Sequence, residues 1–276
     1  RTFCARSKHH NAYIGLAIDD ETTATPEIKE PYFSECVTDS DKLREYYCKF
    51  VVDETLAIIP EWKEEYVREA QRDELYQFYD PYVAMDLGVV DQTAALFGYY
   101  HFKAARLVIE DELIMQGPEM TTDKLAMALK SKESMLWGDK KVFRRISDND
   151  NLLLLQDLVS RHDLLFLETT KTTLESMVNQ VRIWVKGGRI LVSPKCKMLI
   201  GCLASGIWDA RRKQFERSSV YGHFDALAAL VYMVRAVNTS RNPIPPMYKL
   251  DESKHYISPD YSRNKTEKEL RKLFVR

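Results

Sequence analysis

Three consecutive apolar runs with the length and composition of β-strands constrain the fold of this chain more than any other feature. They occupy residues 82–88, 93–102 and 106–116. Short polar or glycine-containing turns separate them, which is typical of an antiparallel meander. Further along, helices are predicted over 122–137, 152–162, 173–186, 196–208 and 224–237, and strands over 141–147, 164–168 and 189–193. The pattern predicts an α/β fold, with a mixed β-sheet and helices on both faces.

The rest of the chain divides around this predicted sheet domain, which we place at residues 79–240. Residues 1–78 form an irregular, mostly helical lead-in, in which Thr25-Pro26 marks the start of a helix. The charge-rich stretch 62–76 is either a solvated helix or a linker. Residues 241–276 form a basic tail that contains prolines.

The overall composition narrows the class of protein. A chain of 276 residues, 45% of them hydrophobic, is long enough to bury a substantial core. Its formal net charge of −1 provides no general attraction to nucleic acid, so any nucleic-acid partner must meet a local basic surface. No apolar stretch reaches the roughly 18–20 residues of a membrane span, and the five cysteines include no Cys-x-x-Cys pair. These features predict a cytosolic protein with reduced thiols and no membrane partner.

Three aspartates interrupt or end apolar runs instead of lying on charged surfaces. Asp86 lies within the first predicted strand, and Asp148 follows the strand over 141–147. Asp225 opens the helix over 224–237, which is apolar nearly all the way round and is therefore expected to be buried. Burying a carboxylate is costly unless something compensates its charge, and one divalent cation compensates several carboxylates together. Each aspartate alone is better explained as a helix cap or an edge charge, but the three together predict a metal site.

The donor set of this predicted site consists of carboxylate oxygens, which favour Mg²⁺ or Mn²⁺ over zinc. Two such ions about 3.5–4 Å apart would activate water and stabilise the leaving oxygen of a phosphodiester. In that scheme Asp86 bridges both ions, and Asp148 and Asp225 complete the two sites. Asp91 and Asp150 are nearby alternatives that either coordinate or cap turns. The choice between Asp148 and Asp150 stays open, with Asp148 preferred because it directly ends the strand.

A histidine and a basic cluster flank the third aspartate. His223 assists proton transfer or holds the scissile phosphate, or else it caps the following helix or packs against it. The cluster Arg211-Arg212-Lys213, with Arg217 beyond it, is the candidate contact for a DNA backbone, since such side chains supply sequence-independent affinity. A charged, exposed hairpin without a ligand explains the same pattern equally well.

Three motifs around the aspartates carry a family resemblance: Val83-Ala-Met-Asp-Leu-Gly, Arg145-Ile-Ser-Asp and, most specifically, Gly222-His-Phe-Asp-Ala-Leu-Ala-Ala-Leu-Val-Tyr. With them, residues 80–240 resemble the nuclease domain of the large terminase subunit of tailed bacteriophages, a member of the ribonuclease H-like superfamily. The stretch from Glu45 to Trp62 resembles the passage from that family's packaging ATPase into its nuclease. The resemblance implies an ATP-driven motor before residue 1. No Gly-x-x-x-x-Gly-Lys-Ser/Thr motif occurs here, so ATPase activity is not expected from this chain alone.

The resemblance also implies an activity and partners. The activity is endonucleolytic cutting of concatemeric double-stranded viral DNA, with Asp86, Asp148 and Asp225 as the catalytic, metal-binding residues. The implied partners are a portal protein and a small terminase subunit, and the implied location is the host cytoplasm, at the procapsid. Two alternatives remain: another ribonuclease H-like nuclease of the resolvase or transposase type, and a non-catalytic docking module of the packaging motor.

Overall fold

The structure, a computed structural model, describes residues 25–35, 46–47, 56–88, 92–116, 121–170, 172–209, 211–218, 220–245 and 248. The strands are β1 (Pro81–Asp86), β2 (Gln92–His101), β3 (Arg106–Gln116), β4 (Arg144–Ser147), β5 (Leu167–Glu168) and β6 (Ile190–Val192). The helices are α1 (Pro26–Glu35), α2 (Thr122–Trp137), α3 (Leu152–His162), α4 (Leu174–Lys186), α5 (Lys197–Ser205) and α6 (Asp225–Ala236). From β1 onward the elements follow the predicted order.

The six strands form one mixed sheet in the order β5-β4-β1-β2-β3-β6. β1, β2 and β3 pair antiparallel and form the predicted meander. β4, β5 and β6 add in parallel at its two sides, each after a connection that contains a helix, because parallel strands need a crossover. This topology brings the carboxyl ends of β1 and β4 to the same end of the sheet.

Helices cover both faces of the sheet, as predicted. Side chains alternate between the faces along each strand. On one face, Tyr82 and Ala84 join a core covered by α4, α5 and α6. On the other face, Val83 and Met85 join a second core beneath α2 and α3. α6 is buried along most of its length, as its apolar sequence predicted.

The lead-in reaches the sheet as an extended segment with two short 3-10 turns, Glu64–Tyr66 and Tyr76–Phe78. The charge-rich stretch 62–76 is therefore a linker and not a helix. A helix without a regular apolar stripe gains little from packing, which favours this outcome. Ile58 and Ile59 lie in the core beneath α4, α5 and α6, so this segment contributes to the packing of the sheet.

The helix predicted over residues 196–208 is wrong at its carboxyl end. α5 stops at Ser205, because the backbone of Gly206 is extended. Trp208 instead forms a β-bridge with Phe215 and buries its ring against it. The end of this helix is thus set by a contact with a later part of the chain.

The two ends of the chain are only partly covered by the described residues. α1 starts at Pro26, as the Thr25-Pro26 pair predicted. Much of the first 55 residues and the tail from residue 251 onward lie outside the described residues. The lead-in, the tail and the boundaries at residues 78 and 240 therefore stay predictions. Within the part of the chain that is described, no helix combines the length and the apolarity needed to span a bilayer.

Candidate metal centre

Asp86 and Asp148 lie side by side at the carboxyl ends of two neighbouring parallel strands. The register of β1 and β4 pairs Met85 with Ser147, so the next residues of the two strands are level with each other. Because side chains alternate along a strand, both carboxylates project from the face that α6 covers. Adjacent strands lie about 4.8 Å apart, which brings the two acids close together.

Asp225 is the first residue of α6, and an unusual turn delivers it. Gly222 and Phe224 have φ angles of 60° and 62°. Positive φ is unfavourable for an aromatic residue, but the buried Phe224 ring packs against Phe215 and holds this conformation. A Cβ atom at Gly222 would lie 3.1 Å from Asp225 Oδ2, so glycine leaves room for the carboxylate. The turn fixes Asp225 at a helix N-terminus, where the helix dipole favours its ionised form.

The three acids share one electrostatic environment, and we call them the acidic cluster. The pKa of Asp86 is raised from 3.8 to about 8, first by burial and then by the negative charges of Asp148, Asp225 and Asp150. The Tyr232 hydroxyl donates to Asp86 Oδ1 over 3.5 Å and partly offsets this rise. Burial and the charges of Asp86, Asp148 and Asp150 also raise the pKa of Tyr232. Acids from three separate parts of the chain therefore lie near enough to affect one another's charge.

The chemistry of the acidic cluster fits a hard divalent cation. Asp148 and Asp225 are 4% and 6% exposed, and a shared cation would offset the cost of burying them beside Asp86. Among the described residues, however, no three His, Cys, Asp or Glu side chains are arranged as ligands around one point. The carboxylate oxygens are thus suitable ligands for a cation, and their arrangement defines neither the ligand set nor the number of ions.

The other predicted site residues occupy less buried positions. Asp150 is exposed in the turn after β4, and it precedes Asn151, whose side chain caps α3. His223 is exposed in the turn that leads to α6, and Asp91 lies outside the described residues. Of the two acids at the end of β4, only Asp148 is buried, which favours it as the ligand.

The basic cluster lies on an exposed hairpin with a buried aromatic base. The rings of Trp208 and Phe215 lie 5.3 Å apart at this base. Asp209 Oδ1 accepts hydrogen bonds from the backbone N–H groups of Lys213 and Gln214 and so shapes the tip. The exposed basic side chains are those of Arg211, Arg212, Lys213 and Arg217. This geometry suits contact with a phosphate backbone, and it equally suits a solvated hairpin.

Tyr232 belongs to the site but was missed by sequence reasoning. It lies seven residues after Asp225 on α6, which is two helical turns and therefore the same helix face. Its side chain is nearly buried and reaches Asp86. A search for polar residues at helical spacing from Asp225 would have found it.

The chain has the fold of large-terminase nuclease domains, which confirms the predicted α/β fold with a mixed sheet and helices on both faces. It is similar to the large terminase of a thermophilic bacteriophage, with 16% identity and a TM-score of 0.55 over 86% of this chain and 58% of that one. It is also similar to the nuclease domain of the P22 large terminase, with 17% identity and a TM-score of 0.52 over 65% of this chain and 91% of that one. The chain thus spans less than two thirds of the thermophilic-phage terminase. No protein-family profile and no curated protein matches the sequence.

Proposed function

We propose that this chain is a Mg²⁺- or Mn²⁺-dependent endonuclease of a viral genome-packaging terminase, acting on concatemeric double-stranded DNA. The acidic cluster carries the proposal, because Asp86, Asp148 and Asp225 stand at one end of the sheet and the charges of the other two acids add to burial in raising the pKa of Asp86 to about 8. Buried carboxylates that repel one another are stabilised by a shared cation. The likeness of the fold to terminase nuclease domains supports the same function.

In the proposed mechanism, Asp86, Asp148 and Asp225 would be the residues that hold two divalent ions. Such ions, when bound, activate water and stabilise the leaving oxygen of a phosphodiester. The Tyr232 hydroxyl orients Asp86 through its hydrogen bond. His223, which is exposed in the turn before α6, would accept a proton or hold the scissile phosphate.

The proposed substrate and partners follow from the surface of the chain and from its fold. The basic cluster contacts the phosphate backbone of double-stranded DNA through Arg211, Arg212, Lys213 and Arg217. A portal protein and a small terminase subunit are the proposed partners, at the procapsid in the host cytoplasm. These assignments rest on the resemblance to large terminases.

One observation favours a second candidate, a non-catalytic docking module. Among the described residues no three potential ligands are arranged around one point. In a docking module, the acids would serve local structure, as Asp225 does at the N-terminus of α6. The two functions differ in whether the carboxylates are needed for cleavage.

Replacing the carboxylates tests the proposal directly. Asp86→Asn and Asp225→Asn should each lower cleavage of plasmid DNA in Mg²⁺ or Mn²⁺ by about 1000-fold or more, because the cation loses a charged ligand. Neither substitution should lower the melting temperature. Asp139→Asn, which changes an exposed acid after α2, is the matched control and should cleave like the wild type. Undiminished cleavage in both site variants, or no cleavage by the wild type, would favour the docking module.

A further inference from the structure

A pocket of about 190 Å³ opens where β4 and β5 meet the last turn of α6. Arg144 on β4, Arg235 on α6, and Thr169 and Thr170 after β5 are among the residues that line it. Neither arginine belongs to the acidic cluster or to the basic hairpin. The pocket is thus a polar site that the proposed mechanism does not use.

Both guanidinium groups have more N–H donors than their observed hydrogen bonds use. Arg144 Nη1 donates to Ala236 O at the end of α6, over 3.0 Å. Arg235 donates to Thr170 O over 2.6 Å and to Gln180 Oε1 over 3.3 Å. A guanidinium carries five N–H donors, so most of those on Arg144 and several on Arg235 are not used in these bonds.

One of the unused donors, Arg235 Nε, is buried. Arg235 Nε is shielded from solvent, and no acceptor among the described residues lies within hydrogen-bonding distance of it. A buried donor without an acceptor is costly. Because Nε is shielded, an anion in the pocket would instead accept hydrogen bonds from the unused Nη groups of the two arginines, whose planar fork matches phosphate well.

One edge of the pocket, at Thr169, lies one strand away from the acidic cluster, whereas Arg144 precedes Asp148 by four residues, about 13 Å along the strand. The backbone N–H of Thr169 donates to Ser147 O over 2.9 Å, and Ser147 directly precedes Asp148. Since adjacent strands lie about 4.8 Å apart, Thr169 is level with Asp148 on the next strand. Each strand of duplex DNA carries one phosphate about every 3.4 Å along the helix axis. A strand whose scissile phosphate lies at the cluster therefore brings another phosphate near the pocket.

The size and charge of the pocket indicate the kind of ligand. Its volume is below the roughly 300–1000 Å³ of typical small-molecule sites, so it fits one group of a larger ligand. Glu168 is the one carboxylate among the residues lining the pocket, and it accepts a hydrogen bond from the Asn149 side chain. Two guanidinium groups outweigh this single negative charge, so the walls remain positive.

We propose that this pocket binds a backbone phosphate of the DNA strand that is cut, a few nucleotides from the scissile phosphate. The choice of DNA as the source of the phosphate rests on the proposed function. The pocket would then position the strand over the acidic cluster and would add affinity that is independent of base sequence.

Binding to a short DNA duplex in the presence of a chelator, where no cleavage occurs, tests this subsite. Arg144→Gln and Arg235→Gln should each weaken binding about tenfold and should reduce the slope of log K against log salt concentration by about 1. Lys130→Gln is the control, because it removes an exposed positive charge from α2 on the opposite face of the sheet. It should leave the slope unchanged.

A chemical change in the DNA gives a second measurement that does not depend on how well Arg235→Gln folds. A neutral methylphosphonate, placed in turn at each phosphate near the cut, should weaken binding of the wild type about tenfold at one position. At that position it should not weaken binding of Arg144→Gln further. Calorimetric titration with inorganic phosphate separates free phosphate from DNA as the source of the bound group. The proposal would be overturned if the wild type binds free phosphate, Arg235→Gln does not, and both bind DNA with the same affinity.

The possible outcomes separate the subsite from the proposed function. A wild-type chain that binds and cuts DNA, with unchanged salt slopes in both arginine variants, would overturn the subsite alone. A chain that shows the arginine effects but never cuts DNA in Mg²⁺ or Mn²⁺ would keep the subsite and overturn the nuclease. A chain that binds no DNA would overturn both.

Discussion

Two groups of three acids lie on the sheet, and their surroundings differ. One is the acidic cluster; the other is a run of consecutive acids in β3, Glu110-Asp111-Glu112, which we call the β3 acidic run. Glu110 is 5% exposed and accepts hydrogen bonds from Arg72 Nε at 2.8 Å, Tyr76 O–H at 3.0 Å and Trp137 Nε1 at 2.8 Å. Donors therefore surround this buried carboxylate.

The other two acids of the β3 acidic run are also matched by donors. Asp111 pairs with Lys132 over 2.5 Å, and Glu112 accepts from the backbone N–H groups of Met198 and Leu199 at the start of α5. A shift in the register of β2 and β3 leaves Glu110 without an opposite residue on β2, as in a β-bulge. The bulge lets neighbouring acids reach different partners.

The acidic cluster has the opposite environment, because its negatively charged members repel one another. Asp86 is half-buried beside the negative charges of Asp148 and Asp225, and its pKa rises to about 8. The comparison shows that burial alone does not mark a functional carboxylate. Buried acids surrounded by donors stabilise the fold, whereas buried acids that face like charges are suited to bind a cation.

The largest loss of stability should come from replacing Glu110, which accepts hydrogen bonds from three side chains. Glu110→Gln should lower the free energy of unfolding by about 2–3 kcal/mol, because Arg72 loses its ion pair and the tyrosine and tryptophan donors lose a charged acceptor. The value lies below that of a fully buried pair, since the Arg72 side chain is 41% exposed. Urea denaturation of this variant and of Glu69→Gln measures the difference. Glu69 is an exposed glutamate in the linker that also contains Arg72. Equal stability of the two variants would contradict the assigned role of Glu110.

Stabilisation by a divalent cation should distinguish the acidic cluster from the β3 acidic run. Mn²⁺ at 100 times its dissociation constant should stabilise the wild type by about 2.7 kcal/mol, because it binds the folded acidic cluster. Glu110→Gln should gain the same increment, while Asp225→Asn should gain little. Thermal unfolding with and without Mn²⁺ measures these increments. An equal gain in Asp225→Asn would place the ion elsewhere.

The least direct effect is a dependence of stability on pH in the presence of a chelator. The folded chain keeps a proton on Asp86 between pH 3.8 and about 8, where the unfolded chain releases it. The contribution of Asp86 therefore falls as pH rises through this window, by up to about 1.4 kcal/mol per pH unit. Asp86→Asn should remove this fall, so its stability relative to the wild type should increase from pH 5 to pH 8. Parallel pH profiles of the two proteins would mean that Asp86 is not perturbed.

Most elements of the sheet domain could be predicted from the sequence, because apolar periodicity is a local property. The meander, the buried α6 and the helix that ends at Gly187 follow from periods of 2 and 3.6 and from local stop signals. The end of α5 could not be predicted, since Trp208 finds its partner in Phe215 on a later turn. The stretch 62–76 was ambiguous because its partners lie on β3 and α2.

The sequence alone determined which residues stand at the ends of core elements, including Asp86, Asp148 and Asp225, because that placement depends only on neighbouring residues. Only the tertiary structure decided that these acids face one another and that Tyr232, 146 positions away, reaches Asp86. It also decided that Arg144 and Arg235 line a common pocket. Electrostatic interactions and hydrogen bonds depend on distance through space, and strand register and helix packing set that distance.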